Sequence, residues 1–383
     1  MDVDKIRHDR LIGDVVRDAI EQWSDAQECG GDARIVEDYR GYVSRKWIFI
    51  LVCFLALIAC CGLSLTVGEY DIGFLESYRI VFDHLLGNIG TDRISVLKDY
   101  IIFDLRLPKI VVGIIAGFAL AICGVAMQSL LKNPLADPYT TGVSSGAGFG
   151  ATLAIVMGAS IATSEYAIVV NAFIFALIPT AAIILVSKLK NASPTTMIMA
   201  GIAIMYLFNA LTTIIKLWGD PNSLGAVLEW QVGSIGGIEW KDIPLMLIVT
   251  VAGFVIVQLC ARQLNVLAAG EENARALGLN VNRLRTSLLA LTALMAATIV
   301  SYTGIIGFIG LVAPHISRIV IGADNRYLIP ASALFGATLL IAADIVGKTI
   351  VAPGVLPVGV ITAFLGAPMF LWLIIRKKSE VWG

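Results

Sequence analysis

Two stretches carry residues at nearly the spacing that phosphate chemistry needs, and neither completes it. Residues 342–349 read A-x-x-x-x-G-K-T, close to the loop whose backbone amides cradle phosphates and whose lysine reaches the terminal ones. Ala342 stands where the first glycine belongs, and the flanking residues form an apolar run rather than a strand followed by a loop. Gly146, Gly148 and Ala151 fit the dinucleotide pattern G-x-G-x-x-A, but they too lie in an apolar run with no strand before them. The chain thus has no phosphate cradle of its own. Ionisable groups inside apolar runs are costly in lipid and mark function by default. Asp344 and Lys348 are four apart, so on a helix they can pair with each other. His315, between Pro314 and Arg318, is a lone histidine and reads as a hydrogen-bonded residue rather than a proton relay or metal ligand. Of the six cysteines, Cys53, Cys60, Cys61, Cys123 and Cys260 fall in apolar runs and only Cys29 does not. There is no C-x-x-C pair and no histidine at ligand spacing, so they read as small buried thiols. No catalytic residue and no metal site is expected.

The composition explains why so few groups can do chemistry. Of 383 residues 57% are hydrophobic and 15% charged, where soluble domains carry about a quarter charged residues. With 28 Lys and Arg against 29 Asp and Glu, the basic excess of a nucleic-acid binder is missing. A soluble enzyme and a disordered chain are excluded by the apolar content, which leaves an all-α polytopic membrane protein. A spanning helix needs about 20 apolar residues. Ten such runs are present, at 47–66, 107–131, 141–158, 166–187, 195–217, 243–261, 286–303, 306–321, 328–351 and 356–375.

The first 46 residues differ in kind, with 8 basic and 11 acidic residues and no apolar run. Residues 1–45 therefore read as an acidic extension. Ile12, Val16, Ala19 or Ile20, and Trp23 recur at helical spacing in it, ahead of a break at Gly30 and Gly31. Residues 46–378 read as the transmembrane domain. If the N-terminus is cytoplasmic, the inner connections carry 14 basic residues and the outer ones 8, which puts both termini in the cytoplasm. The longest outer connection adds seven acids from Glu69 to Asp104.

Packing and breaks are also legible. Gly142, Gly146, Gly150, Ala154 and Gly158 fall every fourth residue, and Gly113 and Gly117 begin a similar stripe, so helices should approach closely there. Pro134, Pro138, Pro194, Pro221, Pro314 and Pro353 should lie at or near helix ends. Within residues 264–285, Glu271 and Glu272 suit a helix start after Gly270, and Gly278 supplies the stop after Leu277. A short rigid helix between two spans, fit to dock in a partner's groove, is expected.

Six ordered motifs carry a resemblance. LRLPK (105–109), QSLLKNPLADP (128–138), GVSSGAGFG (142–150), GEENARALGL (270–279), GIIGFIGLVAPH (304–315) and LPVGVITAFLGAPMFLW (356–372) resemble the FecCD family. These are permease subunits of type II ABC importers for iron-siderophore complexes, haem and vitamin B12. The resemblance implies ten helices per subunit, a second copy of the chain, two cytoplasmic ATPase subunits and an external substrate-binding protein. It also implies a plasma-membrane location and a metal-chelate substrate, iron(III)-siderophore before cobalamin or haem. The chain itself would be no enzyme and would bind no cofactor, ATP and Mg²⁺ being used by the partner ATPase. By the same resemblance Arg106, Lys109 and Lys348 would receive acidic residues of the binding protein. Gly270, Glu271, Glu272, Arg275, Leu277 and Gly278 would couple to the ATPase, and Asn133, Leu135, Ser193, Pro194 and Thr195 would form the cytoplasmic gate. Pro194 departs from the hydroxyl residue of the vitamin B12 permease. The rival reading is a secondary transporter driven by an ion gradient, which usually keeps several midplane carboxylates, where this chain offers Asp344.

Overall fold

The computed structural model describes residues 31–68, 70, 72–88, 90, 92–162, 165–190, 193–351 and 354–376. The chain divides into two compact units, Met1–Phe49 and Ile50–Gly383. The helix expected around residues 12–23, Cys29 and Pro353 lie outside the described residues.

All regular structure among the described residues is helical. In chain order it comprises α1 (Gly31–Thr66), α2 (Phe74–Leu85), α3 (Arg93–Tyr100), a π-helical turn (Ile101–Arg106) and α4 (Leu107–Leu131). A 3₁₀ turn (Pro138–Thr141) leads to α5 (Val143–Met157), α6 (Ala167–Lys190), α7 (Pro194–Lys216) and α8 (Pro221–Val232). Then come α9 (Ile243–Leu259), α10 (Ala261–Ala268), α11 (Glu271–Ala276), α12 (Val281–Thr303), α13 (Ile309–Ile321), α14 (Asn325–Ile350) and α15 (Val358–Arg376). Six stretches are long and apolar enough to cross a bilayer, one each in α1, α6, α7, α12 and α14 and one running through α3 into α4. α9 and α10 together are also long and apolar enough but bend by 50° at the break between them, the form of a broken span or a re-entrant segment, and α5, α13 and Val358–Met369 are shorter apolar helices. These segments follow the ten runs in the sequence closely. The sequence did not anticipate α2, α3, α8 or the bend after α9, because none is apolar over a spanning length.

α4 is the centre of the second unit. It is apolar on every face, as a helix surrounded by other helices must be, and nearly all of its side chains are buried. The apolar window of α7, by contrast, is only 22% buried, so most of α7 faces outward. Antiparallel to α4 lies α14. A Cβ on Gly117 would meet the Gly336 carbonyl at 2.5 Å and Ala337 Cα at 2.7 Å, and one on Gly113 would meet Ile341 at 2.6 Å. Only glycine allows that backbone approach. A Cβ on Gly146 or Gly150 would likewise run into the Phe175 and Asn171 carbonyls of α6, so the expected glycine stripe is an α5–α6 seam.

Proline placement holds at Pro138, Pro194 and Pro221, each of which opens a helix. Pro314 is a correction, since it lies inside α13. A helix-interior proline lacks the N–H that would bond the carbonyl four residues back, here that of Gly310. Gln128 Nε2 of α4 reaches the Gly310 and Leu311 carbonyls at 3.4 Å each, which offsets the loss. Pro330 inside α14 frees the Arg326 carbonyl in the same way, and Gln258 Nε2 donates to it at 2.9 Å. Cys53 and Cys123 are buried as expected, but Cys60, Cys61 and Cys260 are only partly buried. No group of three or more His, Cys, Asp or Glu among the described residues is arranged to hold a metal.

Candidate docking and coupling surfaces

The antiparallel pairing of α4 and α14 creates two ends, and nearly all the informative polar residues sit at one or the other. The register fixes the first end: it brings Arg106 and Lys109, at the start of α4, beside Asp344 and Lys348 near the end of α14. Arg106 is nine-tenths buried. Its guanidinium donates to the carbonyl oxygens of Leu65 at 2.5 Å, Thr66 at 3.2 Å and Tyr70 at 2.7 Å. The last carbonyls of a helix have no internal partner and favour a cation, and α1 has no basic residue in its own last turn. Arg106 supplies that charge from α4's side. Gly68 leaves room for it, since a Cβ there would meet Nη2 at 2.6 Å.

Lys348 Nζ pairs with Asp344 Oδ2 at 2.5 Å, the i to i+4 pairing expected from the spacing. Both side chains are nearly buried, and Ser64 of α1 sits within 3.4 Å of each. Lys109 is half-buried and close enough to Arg106, Asp344 and Lys348 to interact with them electrostatically. The three cations expected to receive a partner are therefore brought together. Arg106 is engaged by backbone carbonyls and Lys348 by Asp344, the pairing that the spacing predicts.

Next to this cluster the segment read as an acidic loop is a helical hairpin. Lys98 Nζ of α3 meets Glu76 Oε1 of α2 at 2.5 Å, and His84 Nδ1 meets Asp99 Oδ1 at 2.8 Å. The Lys98 hydrogen bond holds the exposed Glu76 carboxyl below its usual range. His84 stacks on Phe103, with ring centroids 3.6 Å apart, and Trp240 Nε1 donates to the Phe103 carbonyl at 2.9 Å. A cleft of about 380 Å³ opens between α2 and α3, and its charges are largely paired with one another. Sequence reading missed this hairpin. Its signals were Asp92, which caps α3, and the alternation of charge along residues 74–100.

At the opposite end of the α4/α14 pair lies a hydrogen-bonded cluster. Asp324 caps α14 and is itself gripped by Arg326. Asn265 Nδ2 of α10 donates to Asp324 Oδ1 at 2.7 Å, and Asn265 Oδ1 accepts from both the backbone N and Nδ2 of Asn325, at 2.8 and 2.9 Å. Ser129 Oγ, in the last turn of α4, completes the chain to Asn325 Oδ1 at 3.1 Å. Burial pushes the Asp324 carboxyl up, but the hydrogen bonds from Arg326 and Asn265 outweigh it and hold it at about 2.

From this cluster the chain runs into α11. Gly270 adopts φ +127°, open to glycine alone among common residues, and starts the helix. Glu271 pairs with the buried Arg285 of α12 and, at 3.4 Å, with Arg275. Ala274 is buried, whereas Glu272, Arg275 and Gly278 are exposed and Leu277 is 75% exposed. A helix anchored along one side and bare along the other, with an apolar tip, can seat in a groove of another protein.

The residues expected at the gate lie on two exposed turns. Lys132, at φ +47°, ends α4, and Asn133 Oδ1 accepts from Leu135 N at 2.9 Å, leaving Leu135 45% exposed. Ser193 Oγ caps α7 by accepting from Thr196 N at 3.2 Å, with Pro194 in the first helical position and Thr195 exposed beside it. The neighbouring backbones meet closely, since a Cβ on Gly201 of α7 would lie 2.5 Å from the Thr140 carbonyl.

The model of the FecCD transport family matches residues 55–376. The chain is 40% identical over 73% of its length, and 85% of the relative's, to the hemin transport system permease protein HmuU of Yersinia pestis. It is 39% identical to the cobalamin import system permease protein BtuC of Halobacterium salinarum, over 72% of this chain and 73% of that one. A solved inward-facing conformation of a metal-chelate type ABC transporter matches with a TM-score of 0.75 at 28% identity, covering 86% of this chain and 99% of the other.

Proposed function

This chain belongs to the FecCD transport family, and we propose that it serves as the membrane-spanning half of an ABC importer for large metal chelates, working as a homodimer with two ATPase subunits. The membership makes it a multi-span permease subunit of the metal-chelate class. The rival secondary-transporter reading loses its ground with that membership, and Asp344, its candidate ion ligand, is occupied by Lys348. Iron(III)-siderophore is the cargo taken first, cobalamin and haem next. Relatives named for hemin and cobalamin transport support the class of cargo rather than one member.

In this reading both termini are cytoplasmic, the α11 end faces the cytoplasm, and the Lys348 end faces outward. The observation that carries the mechanism is α11: Leu277 is 75% exposed on a helix whose base is tied to α12 through Glu271 and Arg285. Exposed leucine on a rigid base gives the ATPase an apolar knob to grip, and ATP-driven movement of that knob tilts the spans behind it. The turns at Asn133, Leu135, Ser193, Pro194 and Thr195 form the cytoplasmic gate. At the outer end Lys109 and Lys348 meet acidic residues of a binding protein, while Arg106 holds the surface that presents them. Such passage needs no chemistry on the cargo; ATP and Mg²⁺ act on the partner ATPase.

The test uses the chain co-expressed with the ABC ATPases of its own organism. The native chain should retain one through purification, and Glu272→Lys with Leu277→Arg should release it while the permease stays folded. An ATPase that remains bound to the double variant overturns the coupling assignment. Uptake of iron-siderophore, cobalamin and haemin by proteoliposomes carrying the complex and its binding protein identifies the cargo.

A further inference from the structure

A chain of hydrogen bonds lies at the base of the coupling segment. Asn265 stands on α10, five residues before Gly270 opens the coupling helix. α10 seats Ala261, Leu264 and Leu267 in the core, a face at i, i+3 and i+6, and Asn265 lies just off that face. Its side chain bonds Asp324, the cap of α14, and Asn325, the first residue of that helix, and Asn325 passes the contact on to Ser129. Ser129 is three residues before Lys132, where α4 ends and the Asn133–Leu135 turn begins. Buried hydrogen bonds of this kind fix geometry because each broken one leaves an unpaired group in a dry place. Asn325 is 2% exposed and Ser129 8%. A second tie runs alongside: Gln258, at the other end of the 50° bend, donates to the carbonyl that Pro330 frees. The segment carrying α11 is therefore pinned to α14 on both sides of its bend.

We propose that Asn265 is the positioning residue that transmits movement of the coupling helix to the gate turn, through Asn325 and Ser129 at the end of α4. The proposal rests on the coupling role given to α11 above. Without Asn265, α10 would still be held by its apolar face, which can slide because apolar contacts lack direction. With it, a displacement of α11 must carry the first turn of α14 and the last turn of α4 along.

The experiment uses the whole complex of permease and ATPase in proteoliposomes, and reads two quantities: ATP hydrolysis, and ATP-dependent labelling of Leu135→Cys by a membrane-impermeant maleimide. Labelling of the same complex with Leu135 retained is subtracted. Asn265→Asp keeps the acceptor for Asn325 but sets a carboxylate against Asp324. It should leave ATPase binding and hydrolysis in place and cut the ATP-dependent change in labelling about tenfold. Asp324→Asn added to it restores a donor and acceptor across the 2.7 Å contact and still caps α14, so labelling should return to within about twofold of the native complex. A merely structural asparagine would lower ATPase binding and hydrolysis along with the labelling, whereas loss of the labelling change alone marks transmission. Unchanged labelling in Asn265→Asp, or loss that the second change does not restore, overturns the proposal, as does loss of ATPase binding in Asn265→Asp alone. Should that variant fail to reach the membrane, Ser129→Ala removes a single hydroxyl from the chain and should halve the labelling change; native labelling there overturns it. Failure of the coupling role itself shows separately, as an ATPase that stays bound to the Glu272→Lys, Leu277→Arg variant.

Discussion

The two ends of the α4/α14 pair use charge in opposite ways. At the Lys348 end two of the cations are engaged within the fold: Arg106 caps α1 through the Leu65 and Thr66 carbonyls and also holds that of Tyr70, and Lys348 pairs with Asp344. At the α11 end the ion pairs lie at the base, where Glu271 meets Arg285 and Arg275, and Glu272, Leu277 and Gly278 on the outer side are left exposed. The difference teaches that the packing around a span end sets how its charges are held and presented. Where orphan carbonyls or a buried carboxylate are within reach, the fold takes the charge first; where a short helix is anchored from behind, its outer side stays available.

The contrast can be broken most forcefully at Asp344. Asp344→Ala leaves the Lys348 cation nearly buried without its partner, which should cost about 3–5 kcal/mol. Thermal unfolding in detergent should show it, and Asp344→Asn combined with Lys348→Met should recover most of the loss. If the single variant is as stable as the native chain, the pair is not a structural one. Arg106→Met comes next, leaving the carbonyls of Leu65, Thr66 and Tyr70 without their donor at a cost of about 3 kcal/mol. Limited proteolysis should then open the segment 66–74 first. Leu277→Arg sharpens the other side of the contrast. Its free energy of unfolding should change by under about 0.5 kcal/mol, the range of surface changes, while affinity for the ATPase falls about tenfold.

The smallest effect concerns pH. Asp324 titrates at about 2, below its ordinary 3.8, so its contribution to stability is complete above the ordinary value and is lost as pH falls through 2. Between pH 8 and 5 the unfolding midpoint of Asp324→Asn should therefore run parallel to that of the native chain. The two curves should converge only below about pH 4. A gap that closes already near pH 6 would show that Asp324 is not held ionised by Arg326 and Asn265.

The spans were legible because a bilayer imposes length. α4 coincides with residues 107–131 as read, and α9, α12 and α14 begin or end within a few residues of their apolar runs. The glycine stripes were legible for the same reason, since close approach in lipid needs small residues at every fourth position. The hairpin α2–α3 was not, because its ends are marked by caps and pairs such as Glu76 with Lys98 rather than by an apolar run. Pro314 was placed at a helix end because proline lacks an N–H, and the compensating donor, Gln128, lies 182 residues before the Gly310 carbonyl it serves. Of the candidate sites, α11 was read correctly as a bounded short helix from Gly270, Glu271 and Gly278. Its anchor to Arg285 and the Asn265 cluster behind it were not visible, because neither has a local spacing to detect.

Sequence by itself determined that this chain spans a membrane, in which order its helices run, where glycines let them touch and which family it joins. These are properties of composition, period and motif, each carried by neighbouring residues. Tertiary structure alone decided which charges are spent and which are free. Arg106 meets α1 across 41 positions, Asn325 meets Asn265 across 60 and Ser129 across 196. Hydrogen bonds act over about 3 Å and carry no record in the chain of who their partner will be, so only the packing of α4 against α14 settles it.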